Sequence, residues 1–333
     1  MSAGAVWSGR RVLVTGATGI VGSWLVGALL ERGATVVALV VDRDPQSELV
    51  RSGDFDRIKV VFGALEDYGA VDRAVGVWEV DTVIHLGAQT LVGPARRSPL
   101  PTFETNIRGT YNLLDVCRMD ADVVKAVVVA SSDKVYGTAD QLPYTEDTPL
   151  RARHPYDVSK ACVDLLSHTY AETYKLPVAI ARCGNIYGGG DLNWSRIVPG
   201  TLQSLFRGER PVIRSDGKFV RDYLYVKDAA SAYIAMAEAL HAGQLAGEAL
   251  NFSGDARRTV LEIVADLQRL TGRQDLAADI RDTARAEIRE QWLSSDKAHR
   301  LLAWRPAFTL EQGLAETVSW YRVWFAPAEY ARR

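Results

Sequence analysis

Residues 11–33 read RVLVTGATGIVGSWLVGALLERG, and this stretch decides the fold. It opens with a β-branched run, Arg11–Thr15, that predicts a buried strand. The glycines Gly16, Gly19 and Gly22 follow in a turn, after which apolar residues recur at helical spacing. A strand, a glycine-rich turn and a helix in this order bring bare backbone N–H groups and the positive end of the helix to one point. The stretch therefore predicts a pyrophosphate site, with the spacing GxxGxxG in place of GxGxxG.

The alternation of strand and helix continues beyond this stretch. The later strands are nearly continuous apolar runs, as expected when helices cover both faces of a sheet. This pattern predicts an α/β fold with a doubly wound parallel sheet of the Rossmann type. The predicted strands are 11–15, 35–41, 58–62, 82–86, 124–130 and 178–182, and the predicted helices are 20–32, 68–77, 101–119, 156–174, 228–240, 261–270 and 310–325.

The regular alternation breaks at residues 184–200, which are rich in Gly, Asn and Pro. We expect a second region to begin there and to interleave with the first, because a clear helical pattern returns at 228–240. The predicted division gives 1–182 and about 219–250 to a nucleotide-binding domain, and 183–218 and 251–333 to a smaller, interleaved C-terminal α/β domain that binds the substrate.

The composition is that of a globular protein and excludes several classes of function. The chain has 333 residues, of which 47% are hydrophobic and 24% charged, so it can bury a full core. The chain has 39 Lys and Arg residues and 41 Asp and Glu residues, so its net charge is not positive. This argues against nucleic acid as a partner. No apolar run approaches the roughly 20 residues that span a bilayer, so no membrane contact is expected. Residues 1–11 hold no apolar stretch typical of a secretory signal.

Cysteine and histidine usage bears on compartment and metal binding. Cys117, Cys162 and Cys183 are widely spaced and form no CxxC pair, and the five histidines form no HExxH motif. The sequence therefore predicts a cytoplasmic protein without a metal site.

The end of the second predicted strand bears on the form of the coenzyme. Asp42 follows this strand, where an acidic residue commonly binds the ribose 2′-hydroxyl of NAD. Arg43 comes next and could instead meet the 2′-phosphate of NADP. NAD is the expected coenzyme, and NADP stays open.

Tyr156 and Lys160 lie on the same face of one predicted helix, since they are four residues apart. A nearby positive charge favours the phenolate and so lowers the pKa of a tyrosine. Placed after a dinucleotide loop on the same sheet, this pair predicts a tyrosine that acts as a base near neutral pH.

At this point the chain resembles the extended short-chain dehydrogenase/reductase family, the nucleotide-sugar epimerases and dehydratases. The resemblance covers nearly the whole length. The segments that carry it are VTGATGIVG (14–22), HLGAQ (85–89), TNIRGT (105–110), SSDKVYG (131–137), YDVSK (156–160), RCGNIYG (182–188) and RDYLYVKD (221–228).

The resemblance implies roles for particular residues. Tyr156 would remove the proton from a sugar hydroxyl while the same carbon gives hydride to the nicotinamide, with Ser132 hydrogen-bonded to that hydroxyl. Lys160 would hold the nicotinamide ribose, and Asn106 would support the geometry. An NAD that stays bound and is regenerated in each cycle is implied. The residues expected to bind it are Gly16, Thr18, Gly19, Ile20, Val21, Gly22, Asp42, Arg43, Leu65, Leu86, Ala88, Gln89, Asn106, Tyr156, Lys160 and Cys183.

Asp133 and Lys134 distinguish two reactions within the family. Simple 4-epimerases carry small, non-ionisable residues after the serine, whereas removal of water between two sugar carbons needs a base and an acid. The Ser132-Asp133-Lys134 run resembles that of CDP-glucose 4,6-dehydratases, which predicts Asp133 as the acid and Lys134 as the base. For that role, burial must lower the pKa of Lys134 from the ~10.4 of a free side chain.

The expected substrate is a nucleoside diphosphate sugar. Planar arginine binds a pyrophosphate through two N–H groups, and Arg196 and Arg221 are the candidates. The family resemblance adds Asn185, Gln89 and Ser132 as substrate-binding residues. An NAD-dependent nucleotide-sugar 4,6-dehydratase is thus predicted, with a 4-epimerase as the alternative and a non-catalytic nucleotide-binding protein as a third possibility. Family analogy also predicts a homodimer.

Overall fold

The computed structural model describes residues 6–139, 141–283 and 288–326. Its centre is a seven-stranded sheet in the order β3-β2-β1-β4-β5-β6-β10, in which every pair of neighbours is parallel. The strands are β1 Arg11–Thr15, β2 Thr35–Val40, β3 Lys59–Phe62, β4 Thr82–His85, β5 Ala126–Ala130, β6 Val178–Cys183, β7 Asn185–Tyr187, β8 Val212–Ile213, β9 Val220–Tyr225, β10 Ala249–Phe252, β11 Arg257–Thr259, β12 Asp279–Ile280 and β13 Glu290–Gln291. The predicted doubly wound parallel sheet is confirmed.

Helices cover both faces of this sheet. One apolar core joins the sheet to α1 and α9, and another joins its opposite face to α3, α6 and α7. Apart from the edge strand β3, the strands of this sheet are largely buried on both faces, which explains their continuous apolar runs. The helices are α1 Ile20–Glu31, α2 Glu48–Arg51, α3 Tyr68–Gly76, α4 Val92–Arg97, α5 Pro99–Phe103, α6 Gly109–Met119, α7 Pro155–Tyr174, α8 Ile197–Arg207, α9 Val226–His241, α10 Val260–Thr271, α11 Asp296–Leu302 and α12 Leu310–Phe325.

Two local predictions are wrong. Strand β2 ends at Val40, and Val41 is 75% exposed, because the chain leaves the sheet one residue earlier than the apolar run suggests. The helix predicted over 101–119 is interrupted by a π-helical turn, Glu104–Arg108, between α5 and α6. Such turns shift the register of a helix and occur frequently at functional sites.

A smaller sheet lies beyond the carboxyl ends of the large one. Strand β9 is its centre and pairs with β7, β11 and β13. The chain therefore leaves the large sheet after β6, builds β7 to β9, returns through α9 to β10, and leaves again for β11 to β13. Within the described residues, no helix is long and apolar enough to cross a membrane.

Candidate active site

A cleft of about 1030 Å³ opens at the carboxyl ends of the large sheet. The strand order reverses between β1 and β4, and ligands of doubly wound sheets bind at this switch point. Residues after β1, β4, β5 and β6 line the cleft together with residues of α7, α8 and β9. The volume is at the upper end of the roughly 300–1,000 Å³ of small-molecule sites.

The glycine loop between β1 and α1 forms one wall of the cleft. Gly16 has φ +69°, a backbone conformation that L side chains rarely adopt, and a Cβ on Gly22 would lie 2.1 Å from the Gly16 carbonyl oxygen. The first turn of α1 carries no acidic residue, and Gly19 caps it without a side chain. The positive end of α1 is thereby open to an anion, and this cradle fits a pyrophosphate.

The predicted ribose contacts lie outside this wall. Asp42 and Arg43 are exposed, and Arg43 pairs with Asp56 at 3.1 Å. Asp44 and Ser47 line the cleft instead. The sequence gives no signal for these two residues, because the path of the loop after β2 depends on contacts elsewhere in the fold.

The other residues predicted to bind the coenzyme fall into two groups. Gln89 is exposed, while Leu65 and Asn106 are buried, and all three lie outside the cleft lining as the described residues form it. The members that line the cleft are Gly16, Thr18, Gly19, Ile20, Val21, Gly22, Leu86, Ala88, Tyr156, Lys160 and Cys183.

Asn106, within the π-helical turn, connects the loop after β4 to the helix that carries Tyr156. Its Oδ1 accepts from the Gln89 backbone N–H at 2.7 Å, and its Nδ2 donates to Ser159 Oγ at 2.8 Å. Ser159 Oγ in turn donates to the backbone oxygen of Tyr156 at 2.7 Å. Asn106 therefore positions the site through other residues.

Ser132, Tyr156 and Lys160 converge on the cleft from β5 and α7. Ser132 lies close enough to Tyr156 to favour the phenolate and lower the pKa of Tyr156. Lys160 is 5% exposed, and its Nζ donates to the Ala130 carbonyl oxygen at the end of β5 at 2.7 Å. Burial lowers the pKa of Lys160 to about 8.

The expected fall in the pKa of Tyr156 is wrong for the protein alone. Desolvation raises the pKa of Tyr156 to about 12. The largest opposing influence is the charge of Arg196, followed by the nearby side chain of Ser132. The reason is that Tyr156 is deeply desolvated, whereas the Lys160 ammonium is itself destabilised by burial.

Asp133 and Lys134 both face the cleft. Asp133 is 2% exposed, and burial raises the pKa of its carboxyl despite the nearby charges of Lys134 and Arg221. Its Oδ1 accepts from Ser132 Oγ at 3.1 Å, while its buried Oδ2 has no hydrogen-bond partner among the described residues. Lys134 is half-buried, and its Nζ donates to Oε1 of Gln291. The pair thus presents a carboxyl with a raised pKa and an amine side by side.

Polar groups from the second half of the chain complete the cleft. Arg196 pairs with Asp191 at 3.1 Å, and Arg221 Nη1 donates to the Val220 carbonyl oxygen at 2.9 Å. Asn185 Nδ2 is buried without a hydrogen-bond partner among the described residues. A buried polar atom left unpaired costs about 1–3 kcal/mol, so such atoms at a cleft are typical of a ligand site.

Two residues of this half, of which only Tyr223 is among the described cleft lining, are absent from the sequence prediction. Tyr223 lines the cleft with a buried hydroxyl that has no partner in the described part of the chain. Gln291 reaches Lys134 from β13. Tyr223 lies within the quoted RDYLYVKD segment, whereas nothing local marks Gln291. Over the same described ranges, no group of three or more His, Cys, Asp or Glu side chains could hold a metal ion.

Comparisons with known proteins identify the family. The sequence pattern of the family described as GDP-mannose 4,6 dehydratase matches residues 13–317. The CDP-glucose 4,6-dehydratase of Salmonella typhimurium is 31% identical, over 96% of this chain and 92% of that enzyme.

Solved structures of this kind also share the fold. A dTDP-glucose 4,6-dehydratase of Streptomyces venezuelae, solved with NAD bound, gives a TM-score of 0.85 at 29% identity, over 94% of this chain and 97% of that one. The UDP-glucose 4-epimerase of Thermotoga maritima, solved with UDP-glucose, gives 0.86 at 26% identity, over 95% and 100%. The family match runs from β1 into the C-terminal helix, so the chain belongs to the GDP-mannose 4,6 dehydratase family.

Proposed function

We propose that the protein is an NAD-dependent nucleotide-sugar 4,6-dehydratase that forms a 4-keto-6-deoxy sugar nucleotide. The observation that carries this proposal is the adjacent pair Asp133 and Lys134, which faces the same cleft as Tyr156 and Ser132. An epimerase needs only to oxidise and reduce carbon 4, whereas a dehydratase needs a further acid and base.

NAD is the proposed coenzyme, held by the glycine loop, by Leu86 and Ala88, and by Lys160. When bound, NAD supplies a hydride acceptor for carbon 4 that later returns the hydride to carbon 6. The glycine cradle and the open end of α1 suit its pyrophosphate. Asp44 lines the cleft where Asp42 does not, and we propose it as the acidic residue nearest the adenosine ribose.

Tyr156 and Ser132 act on the carbon 4 hydroxyl. Ser132 holds the hydroxyl, and Tyr156 takes its proton as the phenolate while the carbon becomes a ketone. Arg196 favours this phenolate, because its positive charge is the largest influence that lowers the pKa of Tyr156.

Lys134 and Asp133 then remove water across carbons 5 and 6. Lys134, in its neutral form, takes the carbon 5 proton that the neighbouring ketone has made acidic. The electron pair of that C–H bond forms the carbon 5–carbon 6 double bond, and the carbon 6 hydroxyl departs with the proton of Asp133 as water. When the hydride returns to carbon 6, Lys134 gives its proton back to carbon 5, and the proton that Tyr156 took balances the one that Asp133 gave. Burial raises the pKa of the Asp133 carboxyl, which is the direction that suits a general acid.

The proposed substrate is CDP-glucose, with Arg196 and Arg221 on the pyrophosphate and Asn185 on the sugar nucleotide. The resemblance of residues 132–134 to CDP-glucose 4,6-dehydratases supports this choice, as does the Salmonella relative. A 4-epimerase is the second candidate, favoured by the TM-score of 0.86 to the Thermotoga enzyme.

Incubation with CDP-, dTDP-, GDP- and UDP-glucose, followed by mass spectrometry of the products, tests the proposal. A dehydratase product is lighter than its substrate by one water and gives an enone chromophore after alkali treatment. An unchanged mass with an inverted carbon 4 contradicts the dehydratase and identifies an epimerase. The sugar that reacts fastest identifies the nucleotide.

We further propose a cytoplasmic homodimer. Helices α6 and α7 pack side by side and expose large apolar side chains, among them Met119, Leu165 and Tyr174. A second copy of the same helix pair would cover this face. The three cysteines Cys117, Cys162 and Cys183 are free thiols, as is usual in a reducing compartment.

A further inference from the structure

One side chain from a distant part of the chain holds the Asp133–Lys134 pair. Gln291, in the short strand β13, is fully buried. Its Oε1 accepts a hydrogen bond from Lys134 Nζ, and its Nε2 donates to the Asp133 backbone oxygen at 2.9 Å. Both ends of one amide are thus committed to the two residues proposed to remove water.

We propose that Gln291 is the positioning residue of the elimination step, which fixes the Lys134 amine where it takes the carbon 5 proton. The inference rests on the proposed function. A lysine side chain has four rotatable carbons and loses much conformational freedom when it is held in one place. Gln291 limits this conformational freedom before the substrate binds. Its side-chain amide is held by the Asp133 backbone oxygen and in turn holds Lys134 Nζ.

The chemistry of the two partners selects an amide at this position. A lysine that keeps its lone pair free for the substrate donates hydrogen bonds to its other partners, and a backbone carbonyl only accepts them. The residue between them must therefore accept at one end and donate at the other. Glutamine does both, whereas a glutamate would turn a second oxygen toward the Asp133 carbonyl and a methionine would form neither bond.

The strand that carries Gln291 is itself well anchored. Gln291 lies opposite Arg221 in the parallel pairing of β13 with β9. Arg221 Nη1 donates to the Arg289 carbonyl oxygen at 3.2 Å, and the Leu293 N–H donates to Asp222 Oδ2 at 3.3 Å. One segment, residues 289–293, thus contacts both the arginine proposed for the pyrophosphate and the lysine proposed for the chemistry.

The replacement Gln291→Met tests the inference, with Gln268→Met as its matched control. Gln268 also donates from its amide to a backbone oxygen, that of Leu276 at 2.6 Å, but Leu276 does not belong to the described cleft lining, whereas Asp133 and Lys134, the partners of Gln291, do. We expect Gln291→Met to lower kcat for water loss by about 10²-fold, the effect of a misplacement of about 1 Å. KM and the rapid appearance of reduced nicotinamide after substrate is added should not change. Gln268→Met should match the wild type in all of these readouts.

Gln291→Glu is the second variant and keeps the shape of the side chain, should the methionine variant fold poorly. Lys134 already faces the carboxyl groups of Asp133 and Asp157. The carboxylate added in Gln291→Glu further favours the charged form of Lys134, because opposite charges attract. The acidic limb of the pH profile for water loss should therefore move to higher pH. A shift of that limb shows that residue 291 faces the amine that acts as the base, and the fall in kcat without a change in KM is the readout that a purely structural role does not give.

The outcomes separate the two proposals. If the wild-type protein removes water and Gln291→Glu does so at the same rate and with the same pH profile, the role of Gln291 is overturned. The dehydratase proposal then still stands. A wild-type protein that removes no water from any of the nucleotide sugars overturns both. Equal losses in coenzyme reduction and in water loss overturn a role confined to the elimination.

Discussion

Replacing Asp133 by asparagine is expected to separate catalysis from stability. The side chain keeps its shape but loses the proton that the departing carbon 6 hydroxyl needs. General acid assistance contributes about 10²–10⁴-fold, which is about 2.7–5.4 kcal/mol of barrier. Asp133 is 2% exposed, so bulk water has little access to replace it as a proton donor. We therefore expect kcat for water loss to fall by about 10³-fold, while the reduction of the coenzyme in the first step persists.

The same variant should be more stable than the wild type at neutral pH. Burial raises the pKa of the Asp133 carboxyl, so the folded protein disfavours its ionised form. A raised folded-state pKa gives stability that is fully present below the unfolded-state value of ~3.9 and is lost as the pH rises through the folded value. Asparagine does not ionise, so the gain in the free energy of unfolding appears at neutral pH and shrinks toward pH ~4.

Product mass spectrometry under single-turnover conditions measures the water loss, and urea unfolding at several pH values measures the stability. Asp228→Asn is the matched control, because Asp228 is also 2% exposed and burial also raises its pKa, but it lies outside the cleft lining of the described chain. Its kcat should equal that of the wild type. A wild-type rate of water loss in Asp133→Asn refutes the assignment of the acid, and a loss of stability at neutral pH refutes the electrostatic argument.

Three further changes test other parts of the site. Arg196→Gln should move the acidic limb of kcat/KM for coenzyme reduction to higher pH, since the Arg196 charge is the largest influence that lowers the pKa of Tyr156; an unmoved limb contradicts this link. Gly22→Ala should abolish NAD retention through purification, because its Cβ would lie 2.1 Å from a loop carbonyl oxygen, whereas Gly76→Ala, with nothing within 4 Å, should retain it. Leu165→Glu should give a monomer by light scattering if α7 forms the dimer interface, and an unchanged mass excludes that face.

The sequence predicts the large sheet and the glycine loop well, because both depend on local patterns. Apolar runs bounded by turns define the parallel strands, and β1 begins and ends at the predicted residues. The small sheet is different. Strand β9 pairs with segments far away in the chain, among them the two-residue strand β13, so no periodicity within either strand marks its partner.

The candidate site divides in the same way. Tyr156, Lys160 and the 132–134 run are recognisable because their chemistry depends on fixed local spacing, and they line one cleft. Asp44 is not recognisable in place of Asp42, since the loop after β2 takes its path from its packing. Gln291 acts on Lys134 from 157 residues away, and only the fold brings them together.

The double passage of the chain between its two sheets limits how the protein can be engineered. Strand β10 returns to the edge of the large sheet before the chain leaves that sheet again for β11 to β13. A single cut anywhere between β7 and β11 therefore separates strands of the same sheet into two different fragments. Exchange of the whole small-sheet region with a relative therefore requires three crossover points, one after β6, one after β9 and one after β10. Chimeras joined at only one of these points should be insoluble, and those joined at all three should fold.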